Sequence, residues 1–195
     1  MFLSLCAEQV LARRLRRNST ELVYGQIGGE SGCRDRASKG IGSGIAKALA
    51  AAGARVAVNY SSDRNGAERV AQEITHGGGE AIVVGADVSN TADVARLFAA
   101  VDAAFGRVDV LVNNAGVFRF GAFADITEED FHAHYNINVL GSMWTVQEAV
   151  KRFGSDGGSI INISSIVASH PIAGVVLYAS TKGAIETLTK AWRLN

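Results

Sequence analysis

Between Arg55 and Asn113 the sequence reads RVAVNYSSDRNGAERVAQEITHGGGEAIVVGADVSNTADVARLFAAVDAAFGRVDVLVN. Three short valine-rich runs, 55–59, 81–85 and 108–113, are separated by two stretches with helical spacing. The first helix is predicted over 66–75 and ends at the break Gly77-Gly-Gly79. The second is capped by Asn90 or Thr91 and runs to about Phe105. Buried strands alternating with helices of this length predict parallel strands joined by right-handed crossovers.

The pattern continues in both directions. Residues 45–52 form an alanine-rich helix closed by Gly53, and Ala37-Ser-Lys-Gly40-Ile-Gly42 precedes it. Glycines at that place let backbone amides approach a pyrophosphate at the helix N-terminus. Thr127-Glu-Glu-Asp130 resembles a capping box and opens a long helix to about Phe153. A strand follows over 159–163, and the chain is helical from Tyr178 onward. The fold class predicted is α/β, a doubly wound parallel sheet. In such sheets the ligand sits beyond the carboxyl ends of the strands. Asp87, Asn113-Asn-Ala-Gly116 and Ser165 all follow strand ends and line one crevice.

Within the last of these segments the chemistry concentrates on Ser165, Tyr178 and Lys182. Tyr178 and Lys182 are four residues apart, and Ser165 lies thirteen residues before Tyr178. Positions i and i+4 share a helix face, which brings the Lys182 ammonium towards the Tyr178 phenol. A cation favours the phenolate and lowers a pKa that is ordinarily near ~10. Such a tyrosine is a candidate general acid–base. Ser165, at the mouth of a strand, is a candidate donor to an oxygen that gains charge.

Bulk properties narrow the partners. The chain has 195 residues, with 19 Lys plus Arg against 19 Asp plus Glu, so its net charge is zero. That balance gives no support for binding nucleic acid or an anionic membrane. Cys6 and Cys33 have neither metal-ligand spacing nor a disulfide framework, so no metal is predicted and a reducing, cytoplasmic setting is. No apolar run is long enough to span a bilayer. The apolar start Met1 to Ala7 precedes its arginines, the reverse of a secretory signal. Asn18-Ser-Thr20 and Asn162-Ile-Ser164 match the glycosylation pattern, which is common by chance.

Taken in order, the glycine loop, Asn113-Asn-Ala-Gly116, Asn138, Ser165, Tyr178 and Lys182 closely resemble the single-domain short-chain dehydrogenase/reductases. The resemblance covers about Ala37 to Lys190 and implies a Rossmann-type fold. It implies that Ser38, Lys39, Gly40, Ile41 and Gly42 end the dinucleotide loop, and that Asp87 and Val88 form the adenine-binding pair. By the same resemblance Asn114, Ala115 and Gly116 contact the cofactor, as do Tyr178 and Lys182. The implied catalytic residues are Asn138, Ser165, Tyr178 and Lys182, with Asn138 holding a water in a proton relay. The reaction implied is hydride transfer between a nicotinamide and a small carbonyl or alcohol. Within the family the motifs are similar to those of 3-oxoacyl-acyl-carrier-protein reductases and glucose-dehydrogenase-like members. A homo-oligomer, dimer or tetramer, is implied for a complete chain.

The coenzyme expected is NADP(H), with NAD(H) the alternative. NAD is favoured by an acid at the end of the second strand. Here that end reads Asn59-Tyr-Ser-Ser62, with Asp63 late and readable as a turn residue. Lys39 inside the glycine loop offers a cation for a 2′-phosphate, or is simply a solvated lysine.

Both ends depart from the family pattern. Where the family has a buried strand running into Thr-Gly, this chain has Glu30-Ser-Gly-Cys-Arg-Asp-Arg36. Charges and glycine do not build a central parallel strand. Glu21-Leu-Val-Tyr24 is a weak substitute, separated from the glycine loop by more than a short turn. At the other end the chain stops at Asn195, before the family's last strands and substrate loop. The expected division is therefore an atypical segment, 1–36, and a dehydrogenase-like domain, 37–195, incomplete at both ends. One lost base at each junction accounts for both departures. GTT GCC GTG ACC GGG GCG TCG preceded by G and shortened by one G becomes Gly-Cys-Arg-Asp-Arg-Ala-Ser. GCC CTG GCG CTT GAA CTG A shortened by one C ends Ala-Trp-Arg-Leu-Asn. Codons incompatible with these shifts would end the idea. The rival expectation is an inactive fragment lacking the first strand and the substrate loop.

Overall fold

The computed structural model describes residues 20–24, 40–155 and 157–192. Its five strands are β1 (Thr20–Tyr24), β2 (Ala54–Tyr60), β3 (Ala81–Gly85), β4 (Val110–Asn113) and β5 (Ser159–Asn162). All pairings are parallel and the order is β3-β2-β1-β4-β5. The helices are α1 (Ile41–Ala51), α2 (Arg64–His76), α3 (Thr91–Phe105), α4 (Glu128–Tyr135), α5 (Ser142–Val150) and α6 (Val176–Trp192). Chain direction across the sheet reverses between β1 and β4, the topological switch point where such folds open a crevice.

The near-continuous apolar strands are explained by burial on both faces. Val56 and Val58 of β2 and Val110 and Val112 of β4 pack with α1 and α2 through Ala46, Leu49, Val70 and Ile74. Their neighbours Ala57 and Leu111 point the other way, into Val94, Leu97, Phe98 and Val101 of α3 and Val146 and Ala149 of α5. A strand covered on both sides has no polar face to alternate with.

The weak substitute strand is where the structure corrects the sequence reading. Thr20–Tyr24 fills the sheet centre, in register with Ala54 to Val58 on one side and Val110 to Val112 on the other. The sheet therefore does not lack its first strand. Loop-closure entropy grows only logarithmically with length, so the span 25–39 does not forbid a return to the sheet. Leu22, Val23 and Tyr24 also have the side chains that favour strands. The segment 30–36, rejected above as a strand, lies outside the described residues.

Helix starts follow local hydrogen-bond chemistry. Asp63, an ambiguous turn residue in the sequence, caps α2 by accepting from Gly66 N at 2.8 Å. A Cβ at position 66 would meet the Asp63 carboxylate, so a side chain there would displace the cap. Asn90 caps α3 through Ala92 N and Asp93 N, and Thr127 with Asp130 closes the predicted capping box of α4. Asp63→Ala should cost about 1 kcal/mol. The check is urea denaturation, with a lower midpoint and an unchanged slope.

The long helix predicted from Thr127 to Phe153 is interrupted. A π-helical turn, Asn136–Gly141, separates α4 from α5. At its end Gly141 is pressed on Val88, and a Cβ would meet Val88 O at 3.0 Å and Cγ2 at 2.9 Å. Helical periodicity in sequence carries no mark of such an extra residue, and π turns gather at functional sites.

Candidate active site

The carboxyl edge of the sheet collects most of the predicted site residues. Ser165 follows β5 and caps a short 3-10 turn, Ile166–Ala168, with its Oγ accepting from Val167 N at 3.4 Å. Helix α6 brings the Tyr178 phenol beside it, close enough for the Ser165 hydroxyl to favour the phenolate. The Phe118 ring stands edge-on to the Tyr178 ring, 5.0 Å between centroids. One turn along α6, Lys182 is buried, with Nζ 5.5 Å from the Tyr178 ring centroid. The Lys182 ammonium donates to Ile163 O at 2.7 Å.

Gly116, after β4, lies directly below this group. A Cβ at Gly116 would sit 3.5 Å from Asn138 Oδ1 and 3.7 Å from Lys182 Nζ. Asn138 lies in the π turn and is almost inaccessible. Its amide clamps Val117: Oδ1 accepts from Val117 N at 2.7 Å and Nδ2 donates to Val117 O at 3.0 Å. Ser165, Tyr178, Lys182, Gly116 and Asn138 thus form one cluster.

The electrostatics differ from the sequence expectation. The Tyr178 phenol is raised above its ordinary value because burial disfavours the phenolate, with the Ser165 hydrogen bond working in the opposite direction. Lys182 is pushed down to about 8, also by burial. In this protein desolvation outweighs the mutual attraction that helix spacing alone suggests.

Asn113, the strand-end asparagine, ties elements together. Nδ2 donates to Asn162 Oδ1 at 3.0 Å, joining β4 to β5. Oδ1 accepts from Thr145 Oγ1 at 2.8 Å, joining β4 to α5. Asn162 in turn donates to Thr189 of α6 at 2.9 Å. This chain of side chains fixes α6 against the strand ends.

The remaining predicted residues are spread along the same edge. Gly40 precedes α1 without any side-chain cap, Ile41 is exposed and Gly42 is buried in the first turn. Ser38 and Lys39 lie outside the described residues. The Asp87 carboxylate accepts from Ser89 N and Oγ at 2.8 and 2.7 Å, so it shapes the turn after β3, and Val88 is buried. Asn114 and Ala115 are half-buried beyond β4. These residues fit a dinucleotide. Gly40 brings no side-chain cap to the first amides of α1, and the Gly116 backbone lies beside Lys182.

Two features have no signal in the sequence. Thr181, fully buried, accepts from Asn138 Nδ2 at 2.9 Å. A cleft of about 150 Å³ beside Leu177 is lined in part by Arg119, Asp130 and His134. His134 Nε2 accepts from Arg119 N, which assigns the proton to Nδ1, and that nitrogen donates to Asp130 O.

The profile of one protein family, described as short chain dehydrogenase, matches residues 36–195. An uncharacterized oxidoreductase of Methylorubrum extorquens is 48% identical over 78% of this chain and 61% of its own length. Elsinochrome reductase 1 of Elsinoe fawcettii is 39% identical over 80% of this chain and 59% of its own. A short chain dehydrogenase from Burkholderia cenocepacia, solved in complex with NADP, superposes with a TM-score of 0.79 at 37% identity. It covers 92% of this chain and 68% of that one. The chain spans about three fifths of the length of these curated relatives.

Proposed function

The chain belongs to the short-chain dehydrogenase family, and on that footing we propose that it is an oxidoreductase interconverting a small carbonyl and its alcohol with NADP(H). The observation that carries the reading is Lys182 Nζ at 5.5 Å from the centroid of the Tyr178 ring, with the Ser165 hydroxyl beside the same phenol. When bound, NADP(H) supplies or accepts the hydride. Ser165 Oγ–H holds the carbonyl oxygen beside Tyr178. The Tyr178 phenol gives that oxygen its proton in the reductive direction and takes it back in the oxidative one. Lys182 donates to the nicotinamide ribose from beside the Tyr178 ring. Asn138 holds the water that restores the Tyr178 proton. Gly40 to Gly42 and the Gly116 backbone receive the dinucleotide, together with Ser38, Lys39, Asp87, Val88, Asn114 and Ala115.

The preference for NADP(H) is supported by the fate of Asp63. Its carboxylate is bound to Gly66 N at the head of α2, not left free for a ribose diol. The Burkholderia cenocepacia short chain dehydrogenase described above was solved in complex with NADP. Catalytic efficiency should be at least ~10-fold higher with NADPH than with NADH, the ratio of about one charge-assisted contact. Equal efficiencies would refute the preference.

The proposal as a whole is tested by NADPH oxidation against a panel of aldehydes and ketones, with Ser165→Ala as the control. Ser165→Ala should lower kcat by about 10²-fold with coenzyme affinity kept. Turnover equal to the parent chain would remove Ser165 from the site. Self-association as a dimer or tetramer belongs to the same proposal. Phe131, exposed and stacked on Tyr135 at 4.4 Å, gives α4 an apolar patch for it.

A further inference from the structure

We infer that Thr181 is a positioning residue that locks the Tyr178 helix to the Asn138 turn through one buried hydroxyl. This rests on the active-site reading above. Thr181 is three residues after Tyr178 and one before Lys182, so it faces inward between them. It is fully buried, although nothing in a helix interior requires a hydroxyl there.

The hydroxyl is used in both senses. Thr181 Oγ1 donates to Tyr178 O at 2.7 Å and accepts from Asn138 Nδ2 at 2.9 Å. Asn138 Nδ2 has a second hydrogen, which goes to Val117 O, and Asn138 Oδ1 accepts from Val117 N. The hydrogen bonds therefore run unbroken from the backbone beyond β4, through the π turn, to the carbonyl of the candidate proton donor. Val117, Asn138 and Thr181 are each at most 2% exposed. At such depth a lost link leaves a buried polar group to bear its desolvation cost.

The geometry gives Thr181 its role. Both amide hydrogens of Asn138 are engaged within the protein, so its side chain is a strut and not a donor to substrate. The strut sets how far α6 stands from the π turn. That spacing fixes the roll of α6, which sets the depth of the Tyr178 ring against Ser165 and Phe118. Lys182, on the next turn, is held over Gly116 by the same constraint. A methyl in place of the hydroxyl keeps the volume but removes both bonds, leaving an Asn138 N–H buried without a partner.

The test compares Thr181→Val with Thr181→Ser in the full chain. Two quantities are read: steady-state kinetics with NADPH, and the Tyr178 titration. The latter is followed by tyrosinate absorbance as the difference between each protein and its Tyr178→Phe counterpart. Thr181→Val should lower kcat by about 10- to 100-fold with KM within ~3-fold, as expected for a misplaced group. It should also bring the Tyr178 midpoint down by about half a pH unit or more, because a loosened ring is better hydrated. Lys182 and Ser165 are the polar groups facing that ring, and neither is replaced in either variant. Thr181→Ser retains both bonds and should restore both values. A Tyr178 midpoint in Thr181→Val equal to that of the parent chain overturns the inference. If Thr181→Val does not fold, Asn138→Ala breaks the same bond from the other end and should shift the midpoint likewise. No shift there overturns it equally. A parent chain that neither binds nor oxidises NADPH would refute the proposed function, and the titration would still decide the role of Thr181.

Discussion

Tyr178→Phe is expected to lower turnover by about 10²- to 10⁴-fold while NADPH binds as tightly as to the parent chain. The substitution deletes one oxygen and keeps the ring. The edge-on contact with Phe118 at 5.0 Å therefore survives, and α6 keeps its packing. What disappears is the proton that the reacting oxygen must receive, together with the phenol oxygen beside Ser165. Coenzyme affinity, measured by NADPH fluorescence, separates a chemical loss from a binding loss. Substantial turnover in this variant would sink the assignment of Tyr178 as the acid–base.

Lys182→Met should abolish activity and yet stabilise the unliganded chain at neutral pH by roughly 2 kcal/mol. Lys182 titrates at about 8 in the folded chain against 10.5 ordinarily. At ~1.4 kcal/mol per pH unit that gap is a burial cost of about 3 kcal/mol. Losing the hydrogen bond to Ile163 O returns about 1 kcal/mol of it. Below pH 8 the lysine is protonated in both states, so the cost is present in full. Between 8 and 10.5 the unfolded chain binds more protons than the folded one, and stability rises with pH. Above that window the cost is gone. Tyr178 acts the other way: its phenol keeps its proton above 10.0 in the folded chain, and stability falls once the unfolded phenol ionises. Urea midpoints across the alkaline range check this. The rise through the Lys182 window should be present in the parent and absent in Lys182→Met. A parent curve that is flat there would show that Lys182 carries no burial cost.

Among the described residues no carboxylate pairs with the buried Lys182 ammonium, so its burial costs stability. That is why helix spacing alone misjudged the direction of the Tyr178 shift. Residues i and i+4 share a face whatever the depth of that face, and depth decides the dielectric around them. Likewise Asp63 reads as a weak nucleotide contact in sequence but is a helix cap in the fold, because Gly66 N lies 2.8 Å away.

The sequence alone determined the doubly wound α/β class and the edge on which the site residues meet. It did so because burial on both faces makes parallel strands uniformly apolar, a pattern visible in every run from β2 to β5. It also marked the candidates for the proposed proton exchange there, since Ser165, Tyr178 and Lys182 are defined by chemical type and local spacing. The tertiary structure decided the rest. Thr20–Tyr24 takes the sheet centre through backbone pairing with two strands distant in sequence, which local pattern does not encode. The π turn at Asn136–Gly141 answers a contact with Val88, and Thr181 acquires its role from Asn138, 43 residues away. Long-range contacts of this kind exist only once the chain has folded, and they set the distances on which the proposed proton transfer depends.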